Sequence, residues 1–530
     1  MSPTRRDFLK TTAAAAAAVA AYPGLVTDPA AQTLAAPEAD AAALALAQEA
    51  LDAARSAGAS YADVRIGRYR SQQIATRERQ IAGVGDSESY GLGVRTLVDG
   101  RWGFAATSRM DRSAVQRAAL EAIAMSKAAQ AVGSRRVELA PVEPATGAWI
   151  TPVRIDPLEV PIEDKVALLF AANEAALKVK GVQFVNSSLA LLREVKTLLT
   201  SEGTSVTQTM IRVGPSFSAT AVGTGDFQSY SEELAPRGEG WEYITSLDMP
   251  GNAERWASLA VEKLTAKSVE AGDYDLILDP TNLWLTIHES IGHATELDRA
   301  IGEEANYAGT SFLAPPERML GQFRYGPDFM SIQADRTQPG SLARVAWDDE
   351  GVPADRWLIV DNGVFIDYQT TREQVARIQA LTGVTRSHGC SFAESWDAVQ
   401  FQRMPNISLL PGEEDVSLDD IVADTTRGIV IRNRGSWSID HQRYNFQFSG
   451  QQFQEVRNGR IVGPLRDVAY QANTPEFWSS MDLIGGASSY WLGGTFSDGK
   501  GEPSQASSVS HGCVPARFRS VRILNTGRTA

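Results

Sequence analysis

Two of the five histidines in this 530-residue chain flank a glutamate in the segment His288-Glu289-Ser290-Ile291-Gly292-His293. Zinc hydrolases use a His-Glu-x-x-His helix because positions i and i+4 lie on one face. Two imidazoles then grip the metal while the adjacent glutamate acts on its water. Here the second histidine comes one residue late. Five residues of regular helix turn by about 500°, which leaves the imidazoles about 140° apart. A π-bulge takes up one extra residue and restores the common face, and Gly292 eases that distortion. On this reasoning His288 and His293 are candidate metal ligands and Glu289 is a candidate general base. The same residues also suit a buried helix whose histidines are hydrogen-bonded core groups.

The elements that must hold this segment follow from local patterning. Tyr274, Leu276 and Leu278 alternate like a short strand, and Asp279-Pro280-Thr281 starts a helix that runs through Leu283-Trp284-Leu285-Thr286-Ile287. Far upstream, Ala41 to Ala57 is dense in helix formers and Gly58 stops it. Val64 with Ile66, then Ile74, Ile81 and the run from Gly91 to Phe104, predict strands joined by tight turns, one of them at Asp99-Gly100. Val115, Ala119, Ala122 and Ile123 are spaced for a helix capped by Asp111. Pro141, Pro144, Pro152 and Pro157 predict a connection without regular structure over residues 134–160. A second α+β unit follows, with a helix through Ile162, Val166, Leu169, Asn173 and Leu177 and strands on either side of Glu202-Gly203. From Asp273 onward, turn signals such as Asp361-Asn362-Gly363 and Arg457-Asn458-Gly459 predict a mainly antiparallel β region. The expected class is α+β: an N-terminal domain at 38–140, a middle one at 158–245, and a β-rich C-terminal domain at 270–525 carrying the metal-binding helix.

Composition narrows the function classes. The chain has 64 acidic against 50 basic residues, a net charge of -14, so no general field attracts nucleic acid or anionic membranes. Two cysteines exclude a disulfide scaffold and a four-cysteine metal cluster. Gly91 and Gly93 lack the strand-to-helix context and third glycine of a nucleotide loop, and nothing resembles a flavin, haem or iron–sulfur motif. Thr4-Arg5-Arg6-Asp7-Phe8-Leu9-Lys10, followed by an Ala-rich run and Ala30-Ala31, fits a twin-arginine export signal at residues 1–31. The expected location is periplasmic or extracellular. Removal of the signal takes three basic and two acidic residues and leaves the mature chain at -15. No later run approaches the ~18 apolar residues of a membrane span.

The His288 to His293 segment with Ala294-Thr295-Glu296-Leu297-Asp298 resembles the His-Glu-x-x-x-His signature of the TldD/PmbA metallopeptidase family. The likeness extends through Gly91-Leu92-Gly93-Val94-Arg95, Asp99 to Phe104, Asp348-Asp349-Glu350-Gly351, Arg403-Met404-Pro405-Asn406, Gly499-Lys500-Gly501 and Ser510-His511-Gly512-Cys513. It implies a TldD-like zinc peptidase acting on flexible or unfolded peptides, as a homodimer or a heterodimer with a related PmbA-like subunit. The family usually places a cysteine, resembling the third zinc ligand, directly before its Gly-Lys-Gly element. Asp498 stands there instead. Carboxylate alongside two histidines is an ordinary zinc set with an open fourth position, and it makes other divalent ions more competitive than a thiolate would. Loss of the site would instead leave a non-catalytic peptide-binding or scaffolding subunit.

Other residues carry open alternatives. Cys390 and Cys513 each end a Ser-His-Gly-Cys tetrapeptide and suit turns, a mutual disulfide, or Cys513 as a soft third ligand. Glu296 reads as a solvated or salt-bridged surface carboxylate, a ligand-orienting group or a metal ligand. Asp348, Asp349 and Glu350 read as an exposed turn or a second cation site. Trp437, Trp478 and Trp491 suit a peptide groove or core packing.

Overall fold

The computed structural model describes residues 34, 40–131 and 135–527, so the expected export signal lies outside the described residues. Helix α1 (Ala41–Ser56) starts where the Asp40 carboxylate accepts the backbone N–H groups of Ala42 and Ala43. Its stripe of Ala43, Ala47, Ala50, Leu51 and Ala54 is buried against α2 (Arg112–Ala129), which Asp111 caps. Both helices lie where the periodicity puts them. The strands between them are longer than the alternation indicated. Val64 to Ile74 belongs to one strand, β1 (Tyr61–Arg77), and Ile81 to Val98 belongs to β2 (Gln80–Val98). Asp99 and Gly100, both at positive φ, turn the chain from β2 into β3 (Arg101–Thr107) with Val98 opposite Arg101, as a two-residue hairpin requires.

The proline-broken connection does hold regular structure. β4 (Thr146–Ile150) runs parallel to β6 (Ser205–Val222), with Thr146 beside Ser205. Its order comes from this edge pairing, which leaves no mark in the local sequence. Helix α3 (Ile162–Leu177), β5 (Val182–Thr200) and β7 (Phe227–Glu232) complete the region, and α4 (Met249–Thr265) packs beside α3 in a shared apolar cluster. Both N-terminal α+β segments contribute to one seven-stranded sheet in the order β3-β2-β1-β5-β6-β4, with β7 also on β6. The joint is the long antiparallel ladder from Asp63↔Thr200 to Arg77↔Asn186.

The C-terminal region is mainly antiparallel β. We name β8 (Gly272–Leu278), β9 (Asn406–Leu409), β10 (Arg427–Ile439), β11 (Asn445–Arg457), β12 (Val468–Asn473), β13 (Trp491–Lys500), β14 (Gln505–Cys513) and β15 (Ala516–Asn525). β10, β8, β15, β12 and β11 pair in that order, and β11 pairs back to β10, which closes a five-stranded ring; only the β8–β10 pair is parallel. Leu276, Leu278, Ile429, Ile431, Phe446, Phe448 and Tyr470 belong to the core here. Trp478 is fully buried among Phe477 and Phe518, whereas Trp437 is exposed and Trp491 half-buried. Among the described residues no helix is long and apolar enough to cross a membrane.

Candidate metal centre

Helix α5 (Pro280–Ile287) leaves the end of β8 with Asp279 as its cap and Pro280 in its first turn. Leu283, Trp284, Leu285 and Ile287 are all buried, as expected for a helix apolar on every side. Tertiary ties fix its rotation: Asn282 donates to the carbonyls of Asn433 and Ser449, Thr286 pairs with the Tyr470 hydroxyl, and Gly493 lets β13 lie directly against the Trp284 ring. The helix then changes pitch. His288–Gly292 is a π turn closed by the His293 N–H on the His288 carbonyl, and His293–Thr295 is a 3₁₀ turn. The extra residue in the wider turn brings the two imidazoles onto one side, with centroids 4.6 Å apart. Gly292 leaves room for the end of the Met404 side chain, whose sulfur would lie 2.6 Å from a Cβ there and would have to shift.

Asp498 comes to the same point from β13, across a bulge in the β13–β14 ladder between Thr495 and Asp498; bulges of this kind re-aim a side chain. Its Oδ1 lies 3.7 Å from His288 Nε2 and 3.4 Å from His293 Nε2. Donor atoms of the three residues all fall within 4.8 Å of one another, and all three residues are nine-tenths or more buried. Zinc bonds of about 2.0–2.1 Å at tetrahedral angles place ligand atoms roughly 3.3 Å apart, so the His/His/carboxylate set fits a divalent ion with modest closure. Burial opposes the charge on Asp498, while the Arg403 guanidinium beside it favours the ionised carboxylate. Arg403 donates to Oδ2 at 3.0 Å and also to the Asp498 carbonyl.

Hydrogen bonds behind the rings set their tautomers. His511 Nδ1 lies 2.8 Å from the Ile407 carbonyl and must donate to it. Its Nε2 is therefore an acceptor for His288 Nδ1–H, 2.8 Å away, and the lone pair of His288 Nε2 is left facing Asp498. Burial and then the neighbouring His293 push His288 down to about 3, so it is neutral at pH 7. His293 Nδ1 lies 3.0 Å from Glu296 Oε2 and 3.2 Å from Arg299 Nη2; donation to the nearer carboxylate leaves its Nε2 free in the same way. Glu296 is not a surface group. It is fully buried, and although burial opposes its charge, Lys500 and Arg299 hold it ionised. Lys500 also bridges to Asp298 at 2.7 Å. Glu296 thus takes the ligand-orienting alternative, whereas nothing local in the sequence marks His511 or Lys500 for these roles. Replacing His511 by Ala is expected to weaken metal binding by about 10- to 100-fold, measured by competition with a chromophoric chelator. An unchanged affinity would remove His511 from this role.

Glu289 is buried next to His288 in the chain, and its Oε2 accepts from Arg443 Nη1 at 2.6 Å. Arg443 sits at positive φ in the β10–β11 turn, where Asp440 accepts the backbone N–H groups of Tyr444 and Asn445.

Two expectations are corrected. Asp348, Asp349 and Glu350 are buried rather than exposed, because their partners come from distant elements: Lys196 on β5 binds Asp349 at 3.0 Å, and Arg95 on β2 binds Glu350 at 3.1 Å. Asp348 accepts three backbone N–H groups of its own surroundings. Cys390 and Cys513 are both buried and unpaired, so the disulfide alternative fails. Burial pushes the Cys390 thiol up to about 12 and raises that of Cys513 as well, so both are inert protonated groups at neutral pH. Cys513 is outside the metal-ligand grouping, and its sulfur lies 3.5 Å from the Pro280 carbonyl.

Three family models match consecutive stretches of the chain: PmbA/TldA metallopeptidase domain 1 at residues 62–126, the central domain at 155–267 and the C-terminal domain at 271–522. A twin-arginine translocation signal model matches residues 2–21. A metalloprotease of Methanothermobacter thermautotrophicus is 28% identical over 468 residues, which are 88% of this chain and 96% of that protein. A zinc metalloprotease TldD homolog of Saccharolobus solfataricus is 28% identical over 254 residues, 47% of this chain and 51% of its own. The crystal structure of TldE from Thermococcus kodakarensis shares the fold, with a TM-score of 0.68 at 16% identity over 90% of this chain and 99% of that one.

Proposed function

This chain belongs to the PmbA/TldD family of metallopeptidases, and from that premise we propose an exported zinc peptidase in which His288, His293 and Asp498 hold the metal and Glu289 is the general base. Its twin-arginine signal directs it to export, and we assign the mature enzyme to the periplasm or the exterior. The substrates we propose are flexible or unfolded peptides, and the assembly a dimer, either of two copies or with a related PmbA-like subunit. The observation that carries the reading is the meeting of two imidazole Nε2 atoms and one carboxylate oxygen in a buried site, their lone pairs freed by the bonds behind them.

Bound there, zinc supplies Lewis-acid polarisation of the scissile carbonyl and a water of lowered pKa. Glu289 would serve as the general base of the hydrolysis, its carboxylate accepting a proton and returning it to the leaving amine. Arg443, bonded to Oε2 of Glu289, holds the carboxylate and leaves Oε1 as the oxygen that would take up the proton. Asp498, kept ionised by Arg403, contributes the negative charge that the family's cysteine thiolate otherwise brings.

Elemental analysis of protein purified without chelator, combined with digestion of an unstructured peptide library, tests this assignment. About one zinc per chain is expected, with cleavage lost on chelation and restored by zinc. Metal-free protein whose folding and peptide binding are unchanged in His288→Ala would overturn it in favour of a non-catalytic peptide-binding subunit.

A further inference from the structure

A small cavity lies between the N-terminal sheet and the C-terminal domain. Lys196 and Arg212 reach it from β5 and β6, while Arg336, Ser391, Arg403 and Ser507 line it from the other side. Three of its four cations have partners. Lys196 is paired with Asp349 at 3.0 Å, Arg212 with Glu194 at 2.9 Å and Arg403 with Asp498 at 3.0 Å. Arg336 is different. It is 3% exposed, its Nε has no hydrogen-bond partner, and among the described residues its guanidinium forms no ion pair. A buried guanidinium without a counter-charge is strongly unfavourable. Asp348 shares the lining and is drawn down by Arg336, but burial and the neighbouring Glu350 outweigh that and raise it to about 7; its carboxylate is also committed to the N–H groups of Glu350, Val352 and Ser391, so it compensates Arg336 only in part.

Three further unpartnered buried atoms belong to residues of the same lining: Arg403 Nε, Ser391 Oγ and Ser507 Oγ. Guanidinium N–H groups can only donate, and the hydroxyls can turn to do so. A group bound among these donors must be an acceptor, and beside an only partly compensated Arg336 a negatively charged acceptor is favoured over water. The cavity volume, about 20 Å³, is close to the space one water-sized group needs. That excludes sulfate, phosphate and a whole acidic side chain. We propose that this cavity binds a compact monovalent anion of chloride size, held by Arg336 and Arg403 with the hydroxyls of Ser391 and Ser507. Occupancy would neutralise Arg336, tie the sheet to the C-terminal domain, and fix the guanidinium whose other side holds Asp498.

The test uses the full-length protein, with and without chelator, so that it does not depend on the metal assignment. Thermal unfolding is followed at constant ionic strength as sodium gluconate is replaced by sodium chloride or bromide. Both halides are expected to raise the midpoint saturably, as a ligand of the native state does, whether or not metal is present. Arg336→Met should abolish that rise, because it removes the cation that the anion is proposed to neutralise. Crystals of wild-type protein grown in bromide should give an anomalous peak between Arg336 and Arg403, a readout that survives if the variant does not fold. Equal midpoints in all salts, a halide response retained in Arg336→Met, or no bromide peak would each overturn the proposal.

Discussion

Glu289→Gln is expected to keep its metal while peptide turnover falls by about 10²- to 10⁴-fold, the range for losing a positioned general base. Glutamine preserves the shape of the side chain and an oxygen that accepts from Arg443, but it has no basic oxygen to take the proton of water. The neighbouring His288 keeps its tautomer through His511, a bond that does not involve Glu289. Metal content should therefore stay at the wild-type level while turnover collapses, which separates this variant from any that empties the site. Arg443 loses its anionic partner in a mostly buried position, so some loss of thermal stability accompanies the change and should be measured alongside. Wild-type cleavage by a fully metal-loaded Glu289→Gln enzyme would remove Glu289 from the reaction.

The reason part of this site was legible and part was not lies in the range of the interactions. His288, Glu289 and His293 are local: their types and spacing point to a metal-binding pair with an adjacent base and to the helical defect such a pair requires, and a π turn is present at His288–Gly292. Asp498 sits far along the chain and was approached only through a resemblance. Nothing in its own neighbourhood marks it, because a ladder bulge turns it toward the histidines. Lys500, Arg403, Arg443 and His511 act through contacts between distant segments and carry no periodic signal, whereas Arg299 reaches Glu296 and His293 locally. The acidic run Asp348-Asp349-Glu350 was misread for the same reason. A charged triplet looks solvated until Lys196 and Arg95 arrive from the N-terminal sheet to compensate it. Helices α1 and α2 were legible because an apolar stripe at 3.6-residue spacing is a local property. β4 was not, because its order is a parallel pairing with β6.

Asp498→Asn is expected to lose metal more severely than His511→Ala, since it removes a direct negative ligand rather than an outer hydrogen-bond partner. It also strips Arg403 of its carboxylate. Breaking a buried pair from one side costs about 3–5 kcal/mol, with the lower end favoured here because Asn can still accept one bond and the Asp498 carbonyl and Gln505 carbonyl remain as acceptors. The metal-free variant should thus unfold earlier than metal-free wild type in a denaturant titration, apart from any effect on metal affinity. Asp498→Cys discriminates further. A thiolate restores the negative charge in softer form, so zinc should bind while manganese loses ground relative to its affinity for wild type. Competition between the two ions, read by elemental analysis after equilibrium dialysis, gives the ratio directly. If Asp498→Asn binds zinc as tightly as wild type, or Asp498→Cys leaves the zinc-to-manganese ratio unchanged, the third ligand is not at position 498. His288 and His293 would then have to be completed from elsewhere.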